Sequence, residues 1–409
     1  MSALPFENVP VSTSAFKADP YPFYSRLRAE RPVCRVPLMR GQDVVIVTRY
    51  DDVSELLKDQ RFAKDPANAL TAAQLAKLRK PPKFLSPLTR NMLALDDPDH
   101  ARLKRLVQAA FTPRRIAELE TRVQAASNEL LDRLSNRKRF DLITDYALPL
   151  PVAVVSDLLG IPKADQTRFA RWSHAIIRVG SASLGVLLLL PQILAFLRYL
   201  KKLIAMKRAD PGDDLVSALV QNEAAGDHLD GEELMAMIAI LLSAGHETTT
   251  NLIGNGMLEL MRNPAERERL VAAPKLIEAA IEELLRFASP VEMSTQRYAR
   301  EAVEIASVTI PQGAMVMGVI ASANRDERQF QNPDRLDVGR AKVRHLTFGE
   351  GGHYCLGAAL ARLEGRIAIT DILSRMPNLS LAITDEKLRW RPGMVLRGLE
   401  SLPCQQLLS

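Results

Sequence analysis

Phe348-Gly349-Glu350-Gly351-Gly352-His353-Tyr354-Cys355-Leu356-Gly357 is the stretch on which the reading of this chain turns. A single cysteine stands inside a glycine-rich turn, and a run of helical character, Ala358 to Thr370, follows it. Glycine opens backbone conformations closed to other residues and lets the main chain approach a flat ligand closely. A thiolate just ahead of a helix N-terminus gains from the unpaired N–H groups and the dipole there. A lone cysteine is most often a small buried hydrophobe. This arrangement of glycines, histidine and cysteine instead suits a thiol that must stay ionised as a metal ligand.

An iron porphyrin asks for that setting when its axial ligand is a thiolate. The stretch resembles the heme-binding signature of the cytochrome P450 family, Phe-Gly-x-Gly-x-His-x-Cys-x-Gly, at every fixed position. The resemblance runs through recognisable segments from about His100 to Leu402. It implies a mainly α, triangular fold in a single domain spanning residues 1–409, with a small β-rich portion. Heme b is then buried between a distal helix and the cysteine loop. By the same resemblance Cys355 is the iron ligand and Phe348 packs against the sulfur side of the porphyrin. Gly349, Leu356, Gly357, Ala244 and Gly245 join the cofactor contacts.

Bulk properties are compatible with this. The chain has 409 residues, 47% hydrophobic and 25% charged, which is ordinary for a globular protein with a large core. Net charge is +6, and no long block of like charge reads as a nucleic-acid arm. Cys34, Cys355 and Cys404 form neither a paired framework nor a Cys-x-x-Cys zinc pattern, which favours a reducing compartment. No secretory signal is visible at the N-terminus. The strongest apolar run, Leu184 to Leu190, is broken by Pro191 and falls far short of the roughly 20 residues a bilayer span needs. A cytoplasmic protein without a membrane span is expected.

Helical periodicity covers Val53 to Lys58, Ala101 to Ala110, Ile116 to Leu134 and Glu232 to Met261. Strand-like segments cluster in two places. Val44 to Val47 is β-branched, and Asp51 or Asp52 is the expected N-cap of the helix after it. Val303 to Ile310 leads through Pro311-Gln312-Gly313 into Ala314-Met315-Val316, which predicts a hairpin. Asp210 to Asp214 is the clearest loop, and no linker or repeat divides the chain.

Ala244-Gly245-His246-Glu247-Thr248-Thr249 interrupts a long apolar helix with a glycine and polar groups. Glycine costs about 1 kcal/mol there relative to alanine. A sequence accepts such a misfit where the helix must open or carry a site. The segment resembles the family's oxygen-binding helix, (Ala/Gly)-Gly-x-(Asp/Glu)-Thr. That assigns Glu247 and Thr248 to the relay that brings protons to dioxygen. A carboxylate in exchange with solvent, feeding a hydroxyl, supplies such a route.

Glu283-Leu284-Leu285-Arg286 sets opposite charges three apart on one helix face. In the family this Glu-x-x-Arg pair is buried and tied to a later loop, for which Arg335 is the expected third, structural partner. The heme propionates need cations. Arg297 matches the family's propionate-binding arginine and His353 a second donor. His100 and Lys104 lie one helical turn apart and can face the same anion. Lysine stands where the family usually has arginine, keeping the charge but losing the bidentate fork.

The resemblance also places Leu241, Ala244, Val291, Met293, Ser294, Met394 and Val395 around the substrate, with Leu184 to Leu197 as its lid. These are mostly apolar, so the expected substrate is a hydrophobic terpenoid, steroid, fatty acid or polyketide, hydroxylated or epoxidised with dioxygen. The chain reads as carrying no flavin or iron–sulfur module, so electrons are expected from a ferredoxin and ferredoxin reductase. Arg102, Arg105, Arg114, Arg115, Arg344, Arg362 and Arg366 offer a basic docking face. A peroxide-driven hydroxylase and a non-catalytic heme sensor or carrier are the competing readings. Neither has use for the acid–threonine pair.

Overall fold

The computed structural model describes residues 5–37, 43–78, 91–108, 113–166, 186–223, 229–341 and 343–407, with positions 82, 85, 88, 168, 169 and 172 between them. At 113–117, 186–189 and 222–223 the description covers the main chain only. The helices that frame the site are α1 (Tyr50–Lys58), α2 (Asp99–Gln108), α3 (Pro113–Leu134), α4 (Pro149–Leu158), α5 (Val186–Ala209), α6 (Gly231–Arg262), α7 (Ile277–Phe287) and α8 (Ala358–Arg375). The 32 residues of α6 make it the axle of the molecule. Its start is set by a capping box in which the Asp230 carboxylate accepts from Glu232 N and Glu233 N while Glu233 accepts from Asp230 N.

One core packs α3, α4, α6, α7 and α8 together through Leu131, Val154, Leu258, Leu284 and Ile369. A second sits under α5, where Phe196, Leu200 and Leu203 meet Leu234, Ile238 and Leu242 of α6. Pro191 does not break α5; the helix runs through it. Leu184 and Gly185 lie outside the described residues, as do Ala109 and Ala110 beyond α2.

The β portion is larger than its sequence signals. Strands β1 (Val33–Pro37), β2 (Asp43–Val47), β3 (Phe62–Ala63), β4 (Arg139–Asp141), β5 (Arg297–Ala299), β6 (Val303–Ile305), β7 (Val308–Ile310), β8 (Met315–Gly318), β9 (Ser380–Leu381) and β10 (Pro403–Gln405) form three sheets. The main sheet has the order β1-β2-β8-β5-β3, with β2 and β8 parallel, Val45 opposite Val316.

Two local expectations are corrected. The hairpin pairs β6 with β7 and turns at Ala306-Ser307, both at positive φ, before Pro311-Gln312-Gly313 is reached. Met315 to Gly318 leaves for the main sheet instead. The N-cap of α1 is Arg49, with no side-chain cap; Asp51 and Asp52 lie within the first turn. The orphan donor Tyr50 N is met from afar by Asp326 Oδ2 at 2.8 Å, which removes the need for a local cap.

Candidate active site

The cysteine loop is held by its own main chain. Gly349 and Gly351 sit at φ 70° and 71°, and Cys355 N donates to Phe348 O at 2.9 Å. A side chain at Gly351 would meet Leu57 O at 3.1 Å, so the loop lies hard against the end of α1. Cys355 is two residues ahead of Gly357, the N-cap of α8. Burial pushes the thiol up, while the Gly357 N–H, Arg362 and Lys104 pull it back. The residue is nonetheless solvent-accessible, so the sulfur lines a recess within the fold.

Along α6 the accessible positions Leu241, Ala244, Gly245 and Thr248 recur at helical spacing between buried neighbours. The helix stays continuous through Gly245, so no break explains that glycine. A Cβ there would stand 3.0 Å from Val155 of α4, and close packing of the two helices is the reason for it. Thr248 Oγ1 donates to Ala244 O at 2.8 Å. Glu247 is buried, and burial pushes its carboxyl up to about 7 against the opposing pull of Arg391, whose Nη1 lies 3.5 Å from Oε1.

A second acid lies behind this helix. Glu364 of α8 is 1% exposed, hydrogen-bonded to Thr249, and its Oε1 has no partner. Burial raises it from an ordinary 4.5 to about 8. The hydrogen bond with Thr249 pulls the value down against burial without offsetting it, and Thr249 Oγ1 also donates to Gly245 O at 3.3 Å. Because the folded value is raised, this proton's stabilisation is complete below about pH 4.5 and is lost as pH rises through about 8. Glu364→Gln keeps the shape and an acceptor oxygen without the titration. Its melting temperature should gain on the unaltered protein steadily from pH 5 to 8, by about 1 kcal/mol of stability per pH unit. Parallel melting curves across that range would disprove the assignment.

Near the cysteine loop basic groups outnumber acids: Asp97 Oδ1 lies 3.2 Å from His100 Nδ1, and Asp96 and Asp59 act on Arg297. Arg297 is 5% exposed; Nη2 donates to Leu57 O at 3.0 Å and Nε has no partner. Lys64 is 5% exposed and donates to Thr295 Oγ1 and to Gln296 O. Burial and then Arg297 bring its ammonium down to about 7. The rings of His100 and His353 are 4.0 Å apart, and His353 Nδ1 is buried without a partner. Burial, then His100, Lys64, Arg297 and Lys104, push His353 down to about 2. Lys104 Nζ donates to Gly352 O, bridging α2 to the cysteine loop.

The cytochrome P450 family model matches residues 5–377. The chain is a cytochrome P450. It is 42% identical over 391 residues to cytochrome P450 107B1 of Saccharopolyspora erythraea, covering 95% of both chains. The solved structure of PksS, the cytochrome P450 of the Bacillus subtilis bacillaene polyketide synthase, superposes with a TM-score of 0.90 at 39% identity, over 98% of this chain and 100% of that one. Myxobacterial CYP267B1, solved in complex with myristic acid, gives a TM-score of 0.91 at 37% identity, over 97% and 98%. The P450 is therefore a heme b monooxygenase that uses dioxygen, a small-molecule substrate and redox partners. Among the described residues no helix is long and apolar enough to cross a membrane.

The residues present fit heme b. Orphaned Arg297 Nε and His353 Nδ1, with Lys64, His100 and Lys104 around them, form a buried cationic pocket that two carboxylates would satisfy. The accessible thiol at a helix N-terminus fits the iron. Lys64 is absent from the sequence reading because nothing in Arg61-Phe62-Ala63-Lys64-Asp65 marks it. Only the fold brings it beside Arg297.

The Glu-x-x-Arg pair of the P450 is wholly buried, with Arg286 Nε and Nη2 at 2.7 and 2.8 Å from Glu283. Its third partner is Arg340, not Arg335. Arg340 Nε reaches both Glu283 oxygens at 3.1 and 3.0 Å, and Arg335 contributes only its carbonyl. The chain turns after Arg335, and the reach of Arg340 brings it back over the acid.

The expected substrate wall is divided. Val291, Met394 and Val395 are partly accessible. Met293 is wholly buried in a core with Tyr24 and Ile46, and Ser294 Oγ is committed to Thr295 O and Gly318 N. The basic docking face is also less open than its sequence suggests. Arg102 pairs with Glu233, Arg362 with Glu282, and Arg366 with Glu120 and Glu278. Arg105 is exposed and has a contact of its own. The side chains of Arg114 and Arg115 lie outside the described residues.

Proposed function

We propose that this P450 hydroxylates or epoxidises an apolar polyketide, macrolide or fatty-acid skeleton in the cytoplasm, as one catalytic domain fed by a ferredoxin and its reductase. The observation that carries the reading is the accessible stripe of α6, where Leu241 and Ala244 leave the Thr248 hydroxyl as the single polar side chain. Val291, Met394 and Val395 add apolar edges. Such a wall rewards buried carbon surface at about 25 cal/mol per Å² and offers little to a polar ligand. A relative from a polyketide synthase and a neighbour solved with myristic acid support the same substrate chemistry. A cleft of about 430 Å³ beside the cysteine loop, where Lys58, Arg344 and Arg362 stand with Glu282 and Glu350, offers a charged surface for an electron donor.

Bound heme supplies the redox chemistry that activates dioxygen and passes one of its oxygen atoms to the substrate. The chain holds and times this. Cys355 provides the thiolate, its charge supported by the Gly357 N–H and the start of α8. Lys64, Lys104 and Arg297 would supply positive charge to the propionates, and His100 and His353 would offer ring N–H donors. Thr248 spends its proton on Ala244 O, so its lone pairs are free to accept a hydrogen bond on the recess side. Glu247, with a carboxyl near 7, exchanges protons with solvent at neutral pH.

Thr248→Ala should leave electron uptake intact while product per electron pair falls by roughly an order of magnitude or more and hydrogen peroxide appears. An unchanged product yield would sink the relay. The substrate class is read from the low-spin to high-spin Soret shift on titration with macrolides and with fatty acids. A saturable shift with neither class would reject it.

A further inference from the structure

We propose that Arg391 is a positioning residue for the proton relay: it grips the Glu247 carboxylate from the C-terminal loop and keeps its charged form accessible inside the protein. The inference rests on the reading of Glu247 as the relay acid. The Arg391 side chain is 30% exposed and Glu247 10%, so one guanidinium spans from solvent to the buried carboxylate, 3.5 Å from Oε1. Burial alone would hold the acid neutral, and a relay acid must lose a proton as readily as it regains one.

The main chain of the loop that carries Arg391 is fastened on both sides of it. Arg391 N donates to Gly398 O at 2.9 Å, and Trp390 pairs with Leu399 across a β-bridge. Arg397 stacks 3.7 Å over the Trp390 ring, and Gly393 N donates to Ser12 O at 2.8 Å. On the helix side, Asn255, two turns beyond Glu247, donates from Nδ2 to Arg397 O at 2.9 Å. The loop is thus fastened along the helix face that carries the acid.

Other charged and titratable groups on the elements packed around this part of α6 have their own partners. Glu364 of α8 faces Thr249, and His246 Nδ1 contacts Leu242 O at 2.6 Å. Asp145 and Tyr146, on the turn before α4, pair with Arg137 and Ser127. Asp157 of α4 accepts from Gln166. On α7, Glu282 pairs with Arg362, and Glu283 and Arg286 with each other. Arg391 is the one charged side chain set against Glu247 among the described residues.

The test is an infrared pH titration of the heme-loaded protein, following the carboxylic-acid band that disappears in E247Q and persists in E364Q. Its midpoint, expected near pH 7, should rise by about one unit or more in R391Q and lie in between in R391K. An unmoved midpoint in a folded R391Q overturns the inference. If R391Q does not fold, R391K decides: a midpoint equal to that of the unaltered protein overturns it. The relay reading is tested apart, by peroxide released per dioxygen consumed with myristic acid as probe substrate. If E247Q releases no more peroxide than the unaltered enzyme, the relay is wrong whatever the band does.

Discussion

Cys355→Ser is expected to abolish the strongly red-shifted Soret band of the reduced carbonyl complex and, with it, all monooxygenation. A serine hydroxyl does not ionise near neutral pH, so the Gly357 N–H and the α8 N-terminus would have no anion to stabilise. The other thiols offer no substitute. Cys34 lies in β1 and Cys404 in β10, both wholly buried in cores, and burial pushes each up to about 12. Neither shares the recess into which Cys355 opens. The measurement is the carbonyl difference spectrum with heme content determined in parallel. A persisting band would mean that another residue ligates iron, and the site assignment would fail at its centre.

Glu283→Ala is expected to destabilise the fold by about 3–5 kcal/mol, because it leaves buried guanidinium charge without its anion. Arg286 is fully buried and Arg340 partly so, and both converge on this one carboxylate. The damage should reach the cofactor. Arg286 Nη1 donates to Asn324 O at 2.9 Å, and Asn324 in turn accepts from Leu346 N at 2.7 Å and donates to Thr347 Oγ1 at 2.9 Å. Thr347 adjoins Phe348, the first residue of the cysteine loop. Urea unfolding of the heme-loaded variant, with heme release followed in the same samples, checks both parts. A loss below about 1 kcal/mol would show that the network is not carrying the loop.

The parts of the site legible in the sequence are those whose chemistry is local. The cysteine loop and its helix sit within one short stretch, and Glu247 and Thr248 stand out as polar residues in an apolar helix. Glu283 and Arg286 share a helix face, so their pairing follows from spacing. What the sequence hid depends on long closures. Lys64 meets Thr295, Arg391 meets Glu247, and Asp326 caps the helix at Tyr50. No local pattern marks such partners. Arg340 displaced Arg335 because side-chain reach, and not proximity along the chain, decides who meets a buried acid. The β6–β7 turn escaped notice since Ala306 and Ser307 take positive φ without a glycine, whereas Pro311-Gln312-Gly313 advertised a turn that joins two sheets.

The main sheet also dictates when this protein becomes whole. Strand β2 is ready almost as soon as synthesis begins, yet its parallel neighbour β8 emerges only after α6 and α7 have been made. At about 5–20 residues per second the wait is on the order of tens of seconds. Through that interval Val44, Val45, Ile46 and Val47 lack the partner that covers this edge in the folded sheet. Cofactor capture comes later still, since Cys355 follows β8 by another stretch of chain. The main sheet and the cysteine loop are therefore completed only when most of the chain has been made.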